Sequence, residues 1–156
     1  MRLLLDRRAH RRVHGGLEIA ASPDSCRPEP WLWDIGFHDE AEASTRRHDD
    51  QRVEKVPVDG HRELLLRYHS GAISADVGTI DILDRRRFHR ETRELVVLIG
   101  VSGTAREGCR HLTRDDALIV EGDDPTTFDM HAVDGTAALA YVRLRRRTGR
   151  DLRWVP

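Results

Sequence analysis

A chain of 156 residues with 38% hydrophobic and 34% charged residues is long enough to bury a core without disulfides or a structural metal, so one domain over 1–156 is expected. Its 26 basic and 27 acidic residues leave a formal net charge of −1, which argues against disorder driven by self-repulsion and supplies no bulk field for nucleic acid or an anionic membrane. No run approaches the roughly 20 apolar residues of a membrane-spanning helix, and Leu3-Leu4-Leu5 is too short for a signal-peptide core; a cytoplasmic protein with Cys26 and Cys109 reduced and buried is expected.

Along the chain, strands are more visible than helices. Residues 17–21 read as a strand, and 22–30, with Pro23, Pro28 and Pro30, as irregular backbone. Residues 31–37 form the next strand, with Trp31 and Trp33 on one face by the period of two. The segment 38–54 carries almost no large apolar residue and reads as a solvated loop, a short exposed helix or a lid. Strands follow at 62–68 and 72–77. Residues 94–101 are apolar on both faces, which predicts a central strand covered on both sides. Further strands are expected at 117–121, 127–133 and 137–145, with Asp134-Gly135 as a tight hairpin between the last two. In 137–145, Ala138, Ala140, Val142 and Leu144 share one face and Arg143 and Arg145 the other, where the arginines would discourage strand-edge pairing. Short strands at close spacing, without sustained 3.6-residue periodicity, point to a small antiparallel barrel or sandwich.

Arg62-Glu63-Leu64-Leu65-Leu66 ending at Ser70-Gly71 is echoed by Arg93-Glu94-Leu95-Val96-Val97 ending at Ser102-Gly103, as duplicated halves would give. The second of these segments, followed by Asp116-Ala117-Leu118-Ile119-Val120-Glu121-Gly122-Asp123-Asp124-Pro125, Asp134-Gly135-Thr136 and Arg145-Arg146-Arg147-Thr148-Gly149-Arg150, resembles the C-terminal half of the HutD/Ves family of cupin-like proteins. Ser74-Ala75-Asp76-Val77 is similar to an earlier segment of that family, and so is either His14-Gly15-Gly16-Leu17-Glu18-Ile19-Ala20, without the family's Trp-Lys-Asn lead, or Trp33-Asp34-Ile35-Gly36-Phe37. The resemblance implies an all-β, cupin-like (bicupin-type) antiparallel β-barrel with few short helices. The family is associated with histidine utilisation and stress responses without an established reaction.

Metal-dependent cupins look like His-x-His-x(3,4)-Glu before a turn, with a later His, because alternate strand residues share a face. Here His89 and Glu94 have a compatible separation and His131 stands later, but Arg87 occupies the place of the first His. The cage is incomplete. No cofactor is therefore expected, a divalent metal being the alternative. Trp33, His38 with Asp39 beside it, and Arg93 are the candidate ligand-binding residues, whereas His61, His69 and His111 flank strand ends as surface imidazoles. No Gly-x-Ser-x-Gly elbow, phosphate loop or dinucleotide fingerprint occurs. The basic clusters at 7–12 and 143–147 have no interleaved aromatic residue, which argues against nucleic acid as a partner. The expected function is binding of a small polar organic molecule in the barrel interior. The alternative is a small barrel isomerase, cyclase or lyase using His89, Glu94 and His131. Unpaired strand edges lead to the expectation of a homodimer.

Overall fold

A computed structural model of the chain describes residues 3–5, 11–13, 16–22, 33–39, 51–147 and 152. The strands are β1 (Leu3–Leu5), β2 (Arg11–Val13), β3 (Gly16–Ser22), β4 (Trp33–Asp39), β5 (Gln51–Asp59), β6 (Arg62–His69), β7 (Ile73–Ile82), β8 (Arg85–His89), β9 (Glu94–Ser102), β10 (Ala105–Glu107), β11 (Arg110–Leu112), β12 (Ala117–Val120), β13 (Thr127–Ala132) and β14 (Ala137–Arg146). Among the described residues there is no helix, so the expected short helices are absent from this part of the chain. No described helix is long and apolar enough to cross a membrane.

The strands build three sheets, of order β1-β12-β9-β14-β7, β2-β3-β4-β6-β5 and β11-β10-β13-β8, and their named ladders are antiparallel. The first is the middle layer, because its strands β9 and β12 are apolar and buried on both faces. Leu95, Val97 and Ile99 of β9 pack with Ile119, Val142 and Leu144 against Trp33, Ile35, Phe37, Leu64 and Leu66 of the second sheet. Val96 and Leu98 turn the other way and pack with Leu118, Val120 and Leu139 against Phe88, Phe128 and Met130 of the third. Residues 94–100 are all buried, as two-sided cover of β9 requires. Phe88 and Phe128, cross-strand partners on β8 and β13, stack with ring centroids 5.4 Å apart and anchor the third sheet.

Gly100 is dictated by packing. A Cβ there would lie 1.9 Å from the Thr113 carbonyl oxygen, and this close approach lets the Gly100 amide donate to Asp116 O at 2.9 Å and Gly100 O accept from the Asp115 amide at 2.8 Å.

Four expectations are corrected. The segment 38–54 is not wholly a loop, because β5 begins at Gln51. Asp134-Gly135 is not a hairpin turn: β13 lies in the third sheet and β14 in the middle one, and Gly135 takes φ 94° where the chain passes between layers. Strand β14 lies between β9 and β7, so Arg143 and Arg145 guard no edge. Cys109 is exposed, not buried; Cys26 lies outside the described residues.

Candidate functional site

The middle and second sheets pack on one another through an apolar core, and polar groups stand at its two ends. At one end Trp33 of β4 stands opposite Tyr68 of β6, both on the face turned to the middle sheet. Trp33 is 0% exposed, and its indole Nε1 has no hydrogen-bond acceptor among the described residues. The Tyr68 hydroxyl donates to Glu54 Oε1 at 3.3 Å. Burial first, and then the Glu54 carboxylate, push the phenol above its ordinary pKa, so Tyr68 stays protonated and keeps a hydrogen to donate. Six residues along β6, roughly 20 Å away at the rise of a strand, Arg62 closes the other end. Its guanidinium lies 4.7 Å over the Phe37 ring and donates to Asp59 and Asp115.

The sequence candidates do not assemble around this core. His89 and His131 both lie on the solvent side of the third sheet, but His89 pairs with Thr127 and His131 with Arg85. Four residues of one ladder separate them, roughly 13 Å. His89 Nδ1 is 3.2 Å from Thr127 Oγ1. Glu94 is buried at the start of β9, with Oε2 accepting the Glu91 amide at 3.0 Å and Oε1 accepting Arg145 Nε at 3.3 Å. The three residues expected to act together therefore occupy different surroundings, and among the described residues no group of three His, Cys, Asp or Glu side chains could hold a metal ion. Arg93 is exposed in the turn before β9. His38 lies in β4 opposite Glu63, five residues and roughly 17 Å along the strand from Trp33. His61 and His111 are exposed as expected, but His69 is buried, which corrects its reading as a surface imidazole.

On the opposite face of the middle sheet, past the edge of the third, a polar cleft of about 200 Å³ is lined by Ser74, Ala75, Asp76, Glu94, Arg143 and Arg145. Its floor is a cross-strand grid: Asp76 opposite Arg143, and Ser74 opposite Arg145, with Glu94 on the far side of Arg145. Both arginines reach from this floor to the segment that precedes β9. Arg143 donates to the His89 carbonyl, and Arg145 Nη1 pairs with Glu91 at 2.9 Å.

Arg90, a residue for which the sequence gives no signal, fixes that segment. Its buried guanidinium donates to the carbonyls of Glu91, Thr92 and Glu94 at 3.1, 3.2 and 2.9 Å, to Gly122 O at 2.7 Å and to Asp124 O. The turn 90–94 is thereby stitched to the 122–124 loop. Only a planar fork with several fixed N–H groups can satisfy so many carbonyls at once.

Fold and sites together define a cupin-like β protein, without a helix among the described residues, with polar groups at the ends of an apolar core. Two solved structures from Pseudomonas are similar to it over their full length. HutD from Pseudomonas fluorescens SBW25, solved in a formate condition, matches with a TM-score of 0.66 and 16% identity, covering 95% of this chain and 100% of that one. A conserved protein of unknown function from Pseudomonas aeruginosa PAO1, PA5104, gives a TM-score of 0.67 and 15% identity, covering 94% and 99%. The fold is thus HutD-like, as the sequence resemblance implied. No protein-family model matches the chain, and no curated protein matches it.

Proposed function

We propose that this protein binds a small organic molecule bearing an oxygen acceptor, held between the middle and second sheets at the Trp33–Tyr68 end. The observation that carries this reading is the Trp33 Nε1–H, buried without an acceptor among the described residues. A buried donor left unmade costs about 1–3 kcal/mol, and such groups are rare in native proteins unless something else supplies the partner. A ligand carbonyl or carboxylate oxygen supplies it. Tyr68, kept protonated and donating to Glu54, offers its hydroxyl oxygen as a second polar group, and the apolar side chains of the core around Trp33 would contact the ligand body. The metal-assisted or acid/base isomerase, cyclase or lyase alternative depends on convergence of His89, Glu94 and His131, and their separation works against it.

The test is Trp33→Phe. This variant keeps an aromatic ring in the core and removes only the indole Nε1–H with part of the ring. Binding of small carboxylates, formate to glutarate, followed by calorimetry is expected to weaken by about tenfold, the equivalent of one lost hydrogen bond. Unchanged affinity in the variant, or no binding of any member of the series by the native protein, would reject the reading.

A further inference from the structure

The cleft on the other face of the middle sheet is a second, separate binding site, and we infer that it takes a small zwitterion carrying a carboxylate and an ammonium group, of the size and charge pattern of an α-amino acid. The inference rests on an ion pair that the register offers and the structure does not make. Asp76 and Arg143 are direct partners across β7 and β14, on one face of the sheet, where opposite charges normally pair. The Arg143 guanidinium is instead drawn across β9, donating to the His89 carbonyl and lying 3.9 Å from Glu94 Oε1. Arg145 is drawn the same way, to Glu94 and Glu91. Asp76 remains exposed, and no hydrogen bond or ion pair holds its carboxylate among the described residues.

The result is a gap with guanidinium groups, and the Glu94 carboxylate they pair with, along one side and the Asp76 carboxylate and Ser74 hydroxyl along the other. A simple anion meets the arginines but faces Asp76, and a simple cation meets Asp76 but faces the arginines. A molecule bearing both charges is favoured at both walls. Size points the same way, since about 200 Å³ is below the roughly 300–1,000 Å³ of pockets that take drug-sized ligands. The gap is also held open before any ligand arrives, because Glu94 is fixed by the Glu91 amide and the turn behind it by Arg90. That lowers the ordering cost of binding.

The experiment is a titration of the ¹⁵N-labelled full chain with glycine and L-alanine, with acetate and methylammonium as single-charge controls, following the backbone amides of residues 74–76 and 143–145. Both amino acids are expected to shift these amides at millimolar concentration, and each control to do so at least about tenfold more weakly, the loss of one charge-assisted contact. Asp76→Asn, at an exposed side chain outside the ion-pair network, is expected to bring glycine down to the affinity of acetate without altering the melting temperature. Trp33→Phe is expected to leave glycine binding unchanged, which separates this site from the interior one. Equal affinity for glycine and acetate, undiminished glycine binding by Asp76→Asn, or no shift with any of the four probes would overturn the inference.

Discussion

Removing the Arg90 fork tests whether the turn 90–94 and the 122–124 loop are held by one buried cation. In Arg90→Met the side-chain volume is largely retained while the donors to five carbonyl oxygens are lost. One of those oxygens, Glu91 O, still accepts the Glu94 amide at 3.0 Å, so at most four of the five carbonyls are left without a donor. Each buried polar group left unmade costs about 1–3 kcal/mol, but the carbonyls lie in turns that can relax toward water, and such effects do not add. A net loss of about 4 kcal/mol is expected, within the range seen when a buried charged network is broken. With a urea slope of about 2 kcal/mol per molar, the denaturation midpoint should fall by roughly 2 M. Arg90→Lys should recover only a minor part, since one ammonium cannot span both loops. A midpoint shift below about 0.5 M for Arg90→Met, or full recovery by Arg90→Lys, would refute the reasoning.

Val97, 0% exposed in the strand covered on both sides, should not tolerate a carboxylate: Val97→Asp is expected to cost several kcal/mol and to give insoluble or non-cooperatively melting protein, and normal melting by circular dichroism would contradict the two-sided cover of β9. Asp129 is held down to a pKa of about 2, first by its hydrogen bond from Arg85 and then by Arg87. Because the folded value lies below the unfolded one of about 3.9, its contribution is fully present above pH 4 and disappears as pH falls through about 2. The melting difference between native protein and Asp129→Asn should therefore vanish over that window, and a difference that persists unchanged to the acid end would show the pair is not the cause. A homodimer through unpaired strand edges or an apolar face remains our proposal for the assembly, and light scattering giving a monomer mass at high micromolar concentration would reject it.

The elements legible in the sequence are those whose side chains report their surroundings directly. Strand β9 reads as central because apolar residues occupy both faces, and β14 reads as half-buried because Val142 and Leu144 alternate with Arg143 and Arg145. Strand β8 does not, since four of its five residues are Arg or His and only Phe88 turns inward. Strand β5 is hidden similarly: it is an edge strand, and a register shift between Pro57 and Asp59 breaks its alternation. Trp33 reads either as core packing or as a pocket wall, and the buried indole shows the first while its free Nε1–H supports the second. The grouping of His89, Glu94 and His131 fails for a different reason. Spacing along a chain says nothing about register, and the β8–β13 ladder sets His89 against Thr127 and not His131. Arg90 is invisible for want of contrast, since one arginine among 26 basic residues carries no mark of burial until the loops around it are placed.

The central claim, that the Trp33 Nε1–H is a donor awaiting a ligand acceptor, is tested most directly by the indole ¹⁵N–¹H resonance of Trp33, assigned as the one lost in Trp33→Phe and followed during titration with formate, acetate, succinate and glutarate. The account predicts that at least one of these moves the resonance downfield in proton shift and slows its exchange with solvent, as formation of a buried hydrogen bond requires. A Trp33 resonance that keeps its position and exchange rate throughout the series would contradict it.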